Sequence, residues 1–396
     1  MKQTVIFILL AMMLIGCQSG SQQSKIGELV EIDISNSYPK KEIHLQDVAD
    51  IEYVALEITD DVLLSQSSRL SYISNNYIAF YDYRQGAIFV FNRNGTIASH
   101  FNHRGQGDKE YNYISSMIFD EKNGEIFIFD TPLPSIHRIL VYSLSGEYKR
   151  TLNYADDLNI TGYNFDDETM LVYDINGLMQ NEEYSEKPYM FMSKKDGSIV
   201  SELDIRLPVR YSNRGRISIT DESGRPTSAG FVITLTNNRF YGPDLVIADM
   251  SSDTIYRLTK NKELTPLIVR TPSVHSSEPR TIWATDLVTD KFIIFAKATL
   301  DFELVSRTQQ VPMASFYYEF ETGETSDVSF VNDDFPSGRS SPDGVDTPQK
   351  NLAVRVIQVF TLKEAYENQQ LKGELEKLVS TLDEEDNPIV MIVKFK

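Results

Sequence analysis

Residues 77–101 read YIAFYDYRQGAIFVFNRNGTIASHF, and residues 125–152 read EIFIFDTPLPSIHRILVYSLSGEYKRTL. In each, an alternating apolar run ends in an aspartate (Asp82, Asp130), a turn follows, and a second run ends at a polar tip with glycine, Asn94-Gly95 or Ser145-Gly146. Period-two alternation of aromatic and β-branched residues marks strands with one buried face, and glycine supplies the positive φ that a tight hairpin needs. The same hairpin twice is one unit repeated. Further on, YMFMSKKDGSIVSEL turns at Asp196-Gly197, so that Gly95, Gly146 and Gly197 stand 51 residues apart. A period of that length, built from short strands, predicts a β-propeller.

Five units follow from this pattern, over residues 69–101, 114–152, 159–207, 231–269 and 282–330. The third has MLVYD ending at Asp174; the fourth has LVIAD ending at Asp249 and Asn261-Lys262 at its tip; the fifth has Ala296 where the aspartate stood and a turn at Thr322-Gly323. A sixth must be assembled from the two ends. LAVRVIQVF (352–360) and PIVMIVKF (388–395) read as strands, and an N-terminal strand is needed to complete them. ELVEIDI (28–34) is the expected outer strand, with IEYVAL (51–56) also near the seam. Closure of the ring removes exposed sheet edges. The predicted fold is therefore all-β: a six-bladed β-propeller of four-stranded antiparallel blades over residues 28–396. Between the last two strands, Leu362, Ala365, Leu371, Leu375, Val379 and Leu382 recur at three- and four-residue steps, predicting a helical insertion over 361–382. Thr361 and Glu364 have the spacing of a capping box, and Gly373 is placed to divide the helix.

A short positive start at Lys2 and an apolar run from Val5 to Ile15 lead directly into Leu14-Ile15-Gly16-Cys17. The run is too short for a permanent membrane span. It resembles a bacterial lipobox, which implies a signal peptide over residues 1–16, acylation of Cys17 and cleavage before it. Cys17 is the only cysteine, so no internal disulfide can form, and a lipid is the chemistry left for this thiol in an exported chain. Each methylene of such acyl chains contributes about 0.8 kcal/mol on burial, so several chains anchor firmly. Residues 17–27 are then the lipidated cysteine and a polar tether. No aspartate follows Cys17, which by resemblance to the lipoprotein sorting rule implies the outer membrane; whether the body faces the periplasm or the outside stays open.

The chain of 396 residues carries 57 Asp and Glu against 38 Lys and Arg, a formal charge of −19. That balance repels phosphate backbones and argues against nucleic-acid partners. With 41% apolar residues, and with Tyr and Phe at 21 each, there is ample material for one large core of sheets and a monomeric body.

Taken together, the lipobox, IEYVALE, FVFNRNGTIASHFNHRGQGDKEY, the recurrent strand-ending aspartates and the closing DNPIVMIVKFK resemble the six-bladed β-propeller lipoproteins of Bacteroides-type bacteria. These are NHL-like propellers, and the family has no established activity. Its loop after the first blade usually reads Gly-Arg-Gly-Pro-Gly-Glu-Tyr. Here Asp108-Lys109 stands in place of Pro-Gly, between Arg104-Gly105-Gln106-Gly107 and Glu110-Tyr111. The resemblance implies no catalytic residues.

Candidate sites follow from residue chemistry. Asp82, Asp130, Asp174 and Asp249 recur once per blade; they suit either backbone-capping turn roles or a ring of carboxylates for Ca²⁺, and the absence of a dense acidic loop favours the turns. Arg206, Arg210, Arg214, Arg216 and Arg225 cluster between the third and fourth units and suit either an anion or acidic-glycan site or local pairing with acids. Arg104, Glu110 and Tyr111 gather in one inter-blade loop with His100 and His103, as loop-holding groups or as a pocket lining. Two histidines three apart on a strand face opposite ways, which is poor geometry for one metal. Trp283, Tyr317 and Tyr318 have the rings to stack on sugars, although alternating positions favour the core. Residues 333–350, rich in Pro, Gly, Ser and Asp, are expected to be a lid or excursion beside one channel mouth.

No esterase elbow, zinc-protease helix or phosphate-binding glycine loop occurs. The expected role is that of an envelope-anchored propeller binding a glycan, a peptide or an outer-membrane partner protein at its channel face, with no obligate cofactor. A hydrolase or lyase using the channel aspartates, or a structural subunit of a membrane complex, are the alternatives.

Overall fold

The computed structural model describes residues 29–130, 137–176, 178, 184–211, 214–220, 225–232, 238–308, 310–336, 338 and 341–396. The expected signal peptide, Cys17 and the expected tether lie outside the described residues.

Blade 1 consists of β4 (Ser68–Ile73), β5 (Tyr77–Asp82), β6 (Ala87–Asn92) and β7 (Ile97–Asn102) in spatial order, the first lining the central channel. Blade 2 repeats this with β8 (Ser116–Asp120), β9 (Glu125–Asp130), β10 (Arg138–Ser143) and β11 (Tyr148–Asn153), and blade 3 with β12 (Ile160–Asn164), β13 (Thr169–Asp174), β14 (Tyr189–Ser193) and β15 (Ile199–Glu202). Blade 4 is β18 (Asn238–Tyr241), β19 (Asp244–Ile247), β20 (Thr254–Leu258) and β21 (Leu264–Thr271). Blade 5 is β22 (Arg280–Val288), β23 (Phe292–Leu300), β24 (Met313–Glu319) and β25 (Thr325–Val331), with α2 (Phe302–Thr308) between its middle strands. Blade 6 holds β26 (Leu352–Ile357) and β27 (Ile389–Phe395), joined through α3 (Val359–Glu367) and α4 (Gly373–Val379). The six antiparallel blades close into a ring.

The N-terminal segment supplies strands to three blades: β1 (Val30–Asp33), β2 (Lys40–His44) and, after the one-turn α1 (Leu45–Val48), β3 (Ala49–Ala55). The outer strand of blade 6 is β3, antiparallel to β27 from Ala49 opposite Phe395 to Ala55 opposite Ile389. The expected ELVEIDI strand instead lies parallel to β21 as a fifth strand on blade 4, and β2 lies parallel to β25 on blade 5. The reason is connectivity. An outer strand must lead by one link into the inner strand of the next blade, and only β3 immediately precedes β4. The fourth unit also starts later than its sequence suggests, because Phe231 belongs to an inserted hairpin of β16 (Arg214–Thr220) and β17 (Pro226–Val232).

The hairpin tips are left-handed at Gly95, Gly146, Gly197 and Gly323, with φ of 89°, 86°, 81° and 72°, and Lys262 takes the same turn at 66°. A side chain at Gly95 would meet the backbone oxygen of Ala55 at 2.0 Å, so this glycine also lets blade 1 pack against the closing strand.

Alternation understates the burial of the middle strands. Every residue of β9 and β13 is buried, because each blade is packed on both faces by its neighbours. Six apolar clusters fill the six inter-blade seams; Phe80, Phe91, Val354 and Ile392 join blade 1 to blade 6 across the closure. Side chains of this size each stabilise the fold by roughly 1.5–3 kcal/mol when fully buried.

The helical insertion divides at Gly373, where α4 begins with φ 62°. Thr361 does not cap it: the N-cap is Gln358, without a side-chain cap bond, because Val359 and Leu362 are already drawn into the core beneath. No described helix is long and apolar enough to cross a membrane.

Candidate functional site

The innermost strands converge on a central cavity of about 490 Å³. Blade 1 contributes Leu70 and Ser71, blade 2 Ser116 and Met117, blade 3 Thr161 to Tyr163 and blade 4 Arg239. Two inner strands carry β-bulges whose extra residues are Ser71 and Asp286, where the pairing skips from Leu70 to Tyr72 and from Thr285 to Leu287. A bulge re-aims a side chain that regular pleating would fix, and here it falls twice on polar residues of strands at the channel.

The sixth wall comes from within the 333–350 stretch. Asp343 exchanges backbone hydrogen bonds with Val354 at 2.8 and 2.9 Å, Gly344 N–H donates to the Asp286 carbonyl at 3.1 Å, and Ile73 N–H donates to the Asp346 carbonyl at 3.1 Å. Residues 343–346 thus hold the place of an innermost strand against blades 6, 5 and 1. The expected lid is, in its described part, a wall of the channel. Gly344 permits this, since a Cβ there would stand 2.5 Å from the Asp286 oxygen and 2.8 Å from Arg239 Cδ.

Arg239 is the cation of the cavity. Its Nε donates to the Asp286 backbone oxygen at 2.7 Å. Burial pulls its guanidinium below the usual arginine range, against the opposing pull of Asp286 and Asp346. Burial likewise raises the Asp346 carboxyl to about 7 despite Arg239. Asp286 is raised to about 6, again by burial, with Arg239 opposing and Asp343 adding. Tyr163 is pushed up to about 12, by burial first and then by the Asp346 charge. Asp343 forms a 3.5 Å pair with Arg355 at the rim. Asp346 lines the cavity, and a carboxyl raised towards neutrality accepts a hydrogen bond when ionised and donates one when protonated, while Asp286 reaches Arg239 through its backbone oxygen. With Arg239 and the hydroxyls of Ser71, Ser116 and Thr161, the lining matches a ligand rich in hydroxyl or amide groups.

The aspartates singled out by repetition lie elsewhere, at the ends of the second strands. Asp82 accepts from the N–H groups of Arg84 and Gln85 at 2.9 and 2.7 Å and from the hydroxyls of Ser65 and Ser67 at 2.5 and 2.8 Å. Asp130 accepts from Asn112 and Tyr113 N–H at 3.0 and 3.1 Å and from Arg138 Nε at 3.0 Å. Asp174 accepts from Asn159 and Asn176 N–H, and Asp249 from Ser251 N–H and the Tyr189 hydroxyl. Among the described residues no group of three or more His, Cys, Asp or Glu is placed to hold a metal ion.

Of the loop residues, Tyr111 is fully buried and donates its hydroxyl to the Gly86 carbonyl at 2.6 Å. Arg104 donates to the Arg84 carbonyl, and the Glu110 carboxylate accepts Gly107 N–H at 2.9 Å, so each holds the loop through backbone. Arg206 pairs with Glu186 at 3.8 Å. Arg210 is buried, lies 4.9 Å over the Tyr173 ring and donates to the Asn176 carbonyl. Arg214 and Arg216 sit on β16, whose side chains lie outside the described residues. Arg104, Glu110, Tyr111 and Arg210 do not line the channel cavity. Trp283 and Tyr317 are core residues.

Sequence reasoning missed Arg239, Asp286 and Asp346. A signal was present for Asp286, which interrupts the largely apolar IWATDLV, whereas the short first strands SRLSYI, ITGYN and NRFY are too mixed to single out Ser71, Thr161 or Arg239.

A search of curated proteins found no match. Among solved structures, a Bacteroides fragilis protein described as a candidate exported protein is similar at 14% identity and a TM-score of 0.63, covering 93% of this chain and 100% of its own. A member of the duf4221 family from Bacteroides vulgatus reaches 9% identity and a TM-score of 0.46, covering 89% of this chain and 99% of its own. A protein of unknown function from Bacteroides thetaiotaomicron reaches 10% identity and a TM-score of 0.40, covering 87% of this chain and 76% of its own. The profile of the family described as Domain of unknown function (DUF4934) matches residues 29–394, nearly the whole propeller, and the chain belongs to that family.

Proposed function

We propose that this protein is an exported, lipid-anchored propeller of the cell envelope that binds a polar ligand, a glycan or a peptide, in its central channel. The observation that carries the reading is the 490 Å³ cavity, where Arg239 meets carboxyls drawn from separate parts of the chain. Export and anchoring rest on Leu14-Ile15-Gly16-Cys17 and on the description of the B. fragilis relative. The test is thermal unfolding of the full chain, purified in detergent, against neutral oligosaccharides and short peptides. A ligand at about 100 times its Kd adds roughly 2.7 kcal/mol to native stability and raises the midpoint visibly. Arg239→Ala should abolish the shift; a shift that survives in Arg239→Ala places the ligand elsewhere. Anchoring is tested by Cys17→Ser, which should release the protein from the membrane fraction.

A second reading, a hydrolase or lyase, is favoured by one feature: burial raises the carboxyl of Asp346, which lines the cavity, and that of Asp286, whose backbone oxygen holds Arg239. Asp130 and Asp174 are held by backbone N–H groups and do not line the cavity. This second reading requires turnover that Asp286→Asn or Asp346→Asn removes.

A further inference from the structure

The opposite end of the channel, where the first and second strands of the blades turn, holds a second cavity of about 240 Å³. Four rings line it, Tyr72 from blade 1, Phe119 from blade 2, Phe165 from blade 3 and Phe240 from blade 4, with Pro243 and Pro348 beside them and Lys260, Asn164 and Asp346 as its polar part. Tyr72 stacks on Phe119 with centroids 4.9 Å apart, and Phe165 leans edge-on against Phe191 at 4.9 Å. These contacts fix the rings, while Tyr72, Phe165 and Phe240 each remain partly exposed to the cavity.

Ser71 and Asp346 line both this cavity and the central one, so the two adjoin. Outward, the aromatic pocket shares Tyr72, Asn164 and Phe165 with a trough of about 390 Å³. That trough is bordered by Asn75, Asn76, Glu121, Asp167 and Gln349. Three adjoining cavities thus follow in order: a hydroxyl- and carboxyl-lined chamber, an aromatic collar, and a trough bordered mainly by amides and carboxylates.

A pyranose ring has apolar C–H faces and a hydroxyl edge, and this order of linings fits a row of them. Aromatic faces carry negative charge density that attracts C–H groups, and carboxylate and amide oxygens accept from neighbouring hydroxyls. In the outer trough Lys122 is paired to Asp167 at 2.5 Å and Asp120 is matched by the buried Lys194 at 2.6 Å, so Glu121 and the overall charge of −19 weigh against an anionic chain there, while Arg239 and Lys260 line the inner cavities together with Asp346. We infer that the aromatic collar is a second subsite of the channel, stacking one ring of a neutral oligosaccharide whose neighbouring units occupy the central chamber and the outer trough. The inference rests on the channel-binding reading and assigns its ligand class.

The experiment is calorimetric titration of the full-length protein, in a detergent without a sugar headgroup, with ladders of one to four units of glucose, xylose, mannose and N-acetylglucosamine. The peptide Gly-Phe-Gly serves as comparator. For at least one ladder, affinity should rise with length, and Phe165→Leu and Phe240→Ala should each weaken the trisaccharide by about three- to tenfold while leaving the monosaccharide unchanged. Phe165→Leu keeps the apolar volume, so a loss there reads stacking and not misfolding. Affinity indifferent to length and to both variants, yet abolished by Arg239→Ala, would overturn the collar subsite and leave channel binding intact. Binding of Gly-Phe-Gly with no saccharide would overturn the ligand class. Heats absent for every probe would overturn the subsite and the channel reading together.

Discussion

Two sets of aspartates occupy this propeller, and their environments are opposite. At the ends of the second strands, Asp82, Asp174 and Asp249 accept hydrogen bonds from N–H groups just ahead in the chain, and Asp130 accepts from Asn112 and Tyr113 N–H in the segment that enters its blade. In the channel, burial has raised Asp286 and Asp346 to about 6 and 7, with Arg239 opposing but not reversing the shift. For Asp82 burial also pushes upward, yet the Gln85 N–H and the Ser65 and Ser67 hydroxyls outweigh it and the carboxyl lies below its ordinary range. Asp174 stands between the sets: burial outweighs its N–H donors and it is raised, though it serves a turn. A residue that recurs in four of the six blades answers a need of the blade itself, which is to satisfy backbone near the end of its second strand. A residue that occurs once answers to the axis of the ring.

The sharpest way to break this contrast is Asp130→Ala, which would leave Arg138 and two N–H groups without their buried acceptor. It should cost about 3 kcal/mol in chemical denaturation, with ligand affinity per folded molecule unchanged. Asp346→Asn should act in the other direction. A carboxyl whose folded value is raised makes the folded state bind protons more tightly, so wild-type stability falls as pH climbs from about 4 to about 7. The variant should therefore be more stable than wild type at pH 8 by about 2 kcal/mol, with the gain gone at pH 4. For Asp286→Asn the same sign applies over a narrower window, from about pH 4 to about 6, and a gain of about 1.5 kcal/mol at pH 8 is expected. The smallest effect is reserved for Asp82→Asn, about 1 kcal/mol of loss at neutral pH. Because the Asp82 carboxyl is lowered, its contribution is present above the ordinary aspartate range and lost as pH falls below it, so the deficit should vanish in acid. Denaturation midpoints of the four variants between pH 3 and pH 8 check the set. Equal pH slopes for Asp82→Asn and Asp346→Asn would remove the distinction between the two environments.

Much of the ring was legible residue by residue. The tips at Gly95, Gly146 and Gly197 keep a fixed spacing because each unit must turn at the same radius, and even Lys262, lacking glycine's freedom, adopts the left-handed turn its place demands. The placement of β1 was not legible, since ELVEIDI and IEYVAL alternate alike and only the link from β3 into β4 separates them. Residues 343–346 hold a strand position without any alternation, secured by backbone bonds to three blades. Arg104, Glu110 and Tyr111 attract notice as polar groups in one loop, yet that loop uses them to hold itself together.

By itself the sequence determined the repeating unit, its number of copies, the turn chemistry at each tip and the need to borrow an N-terminal strand for closure. These are local matters, set by alternation, by φ at single residues and by hydrogen bonds within a few positions. Only the tertiary structure decided the site. Ser71, Thr161, Arg239, Asp286 and Asp346 are distant in sequence and meet because six blades share one axis. The field of Arg239 and the desolvation of the carboxyls exist only once the ring has closed around them.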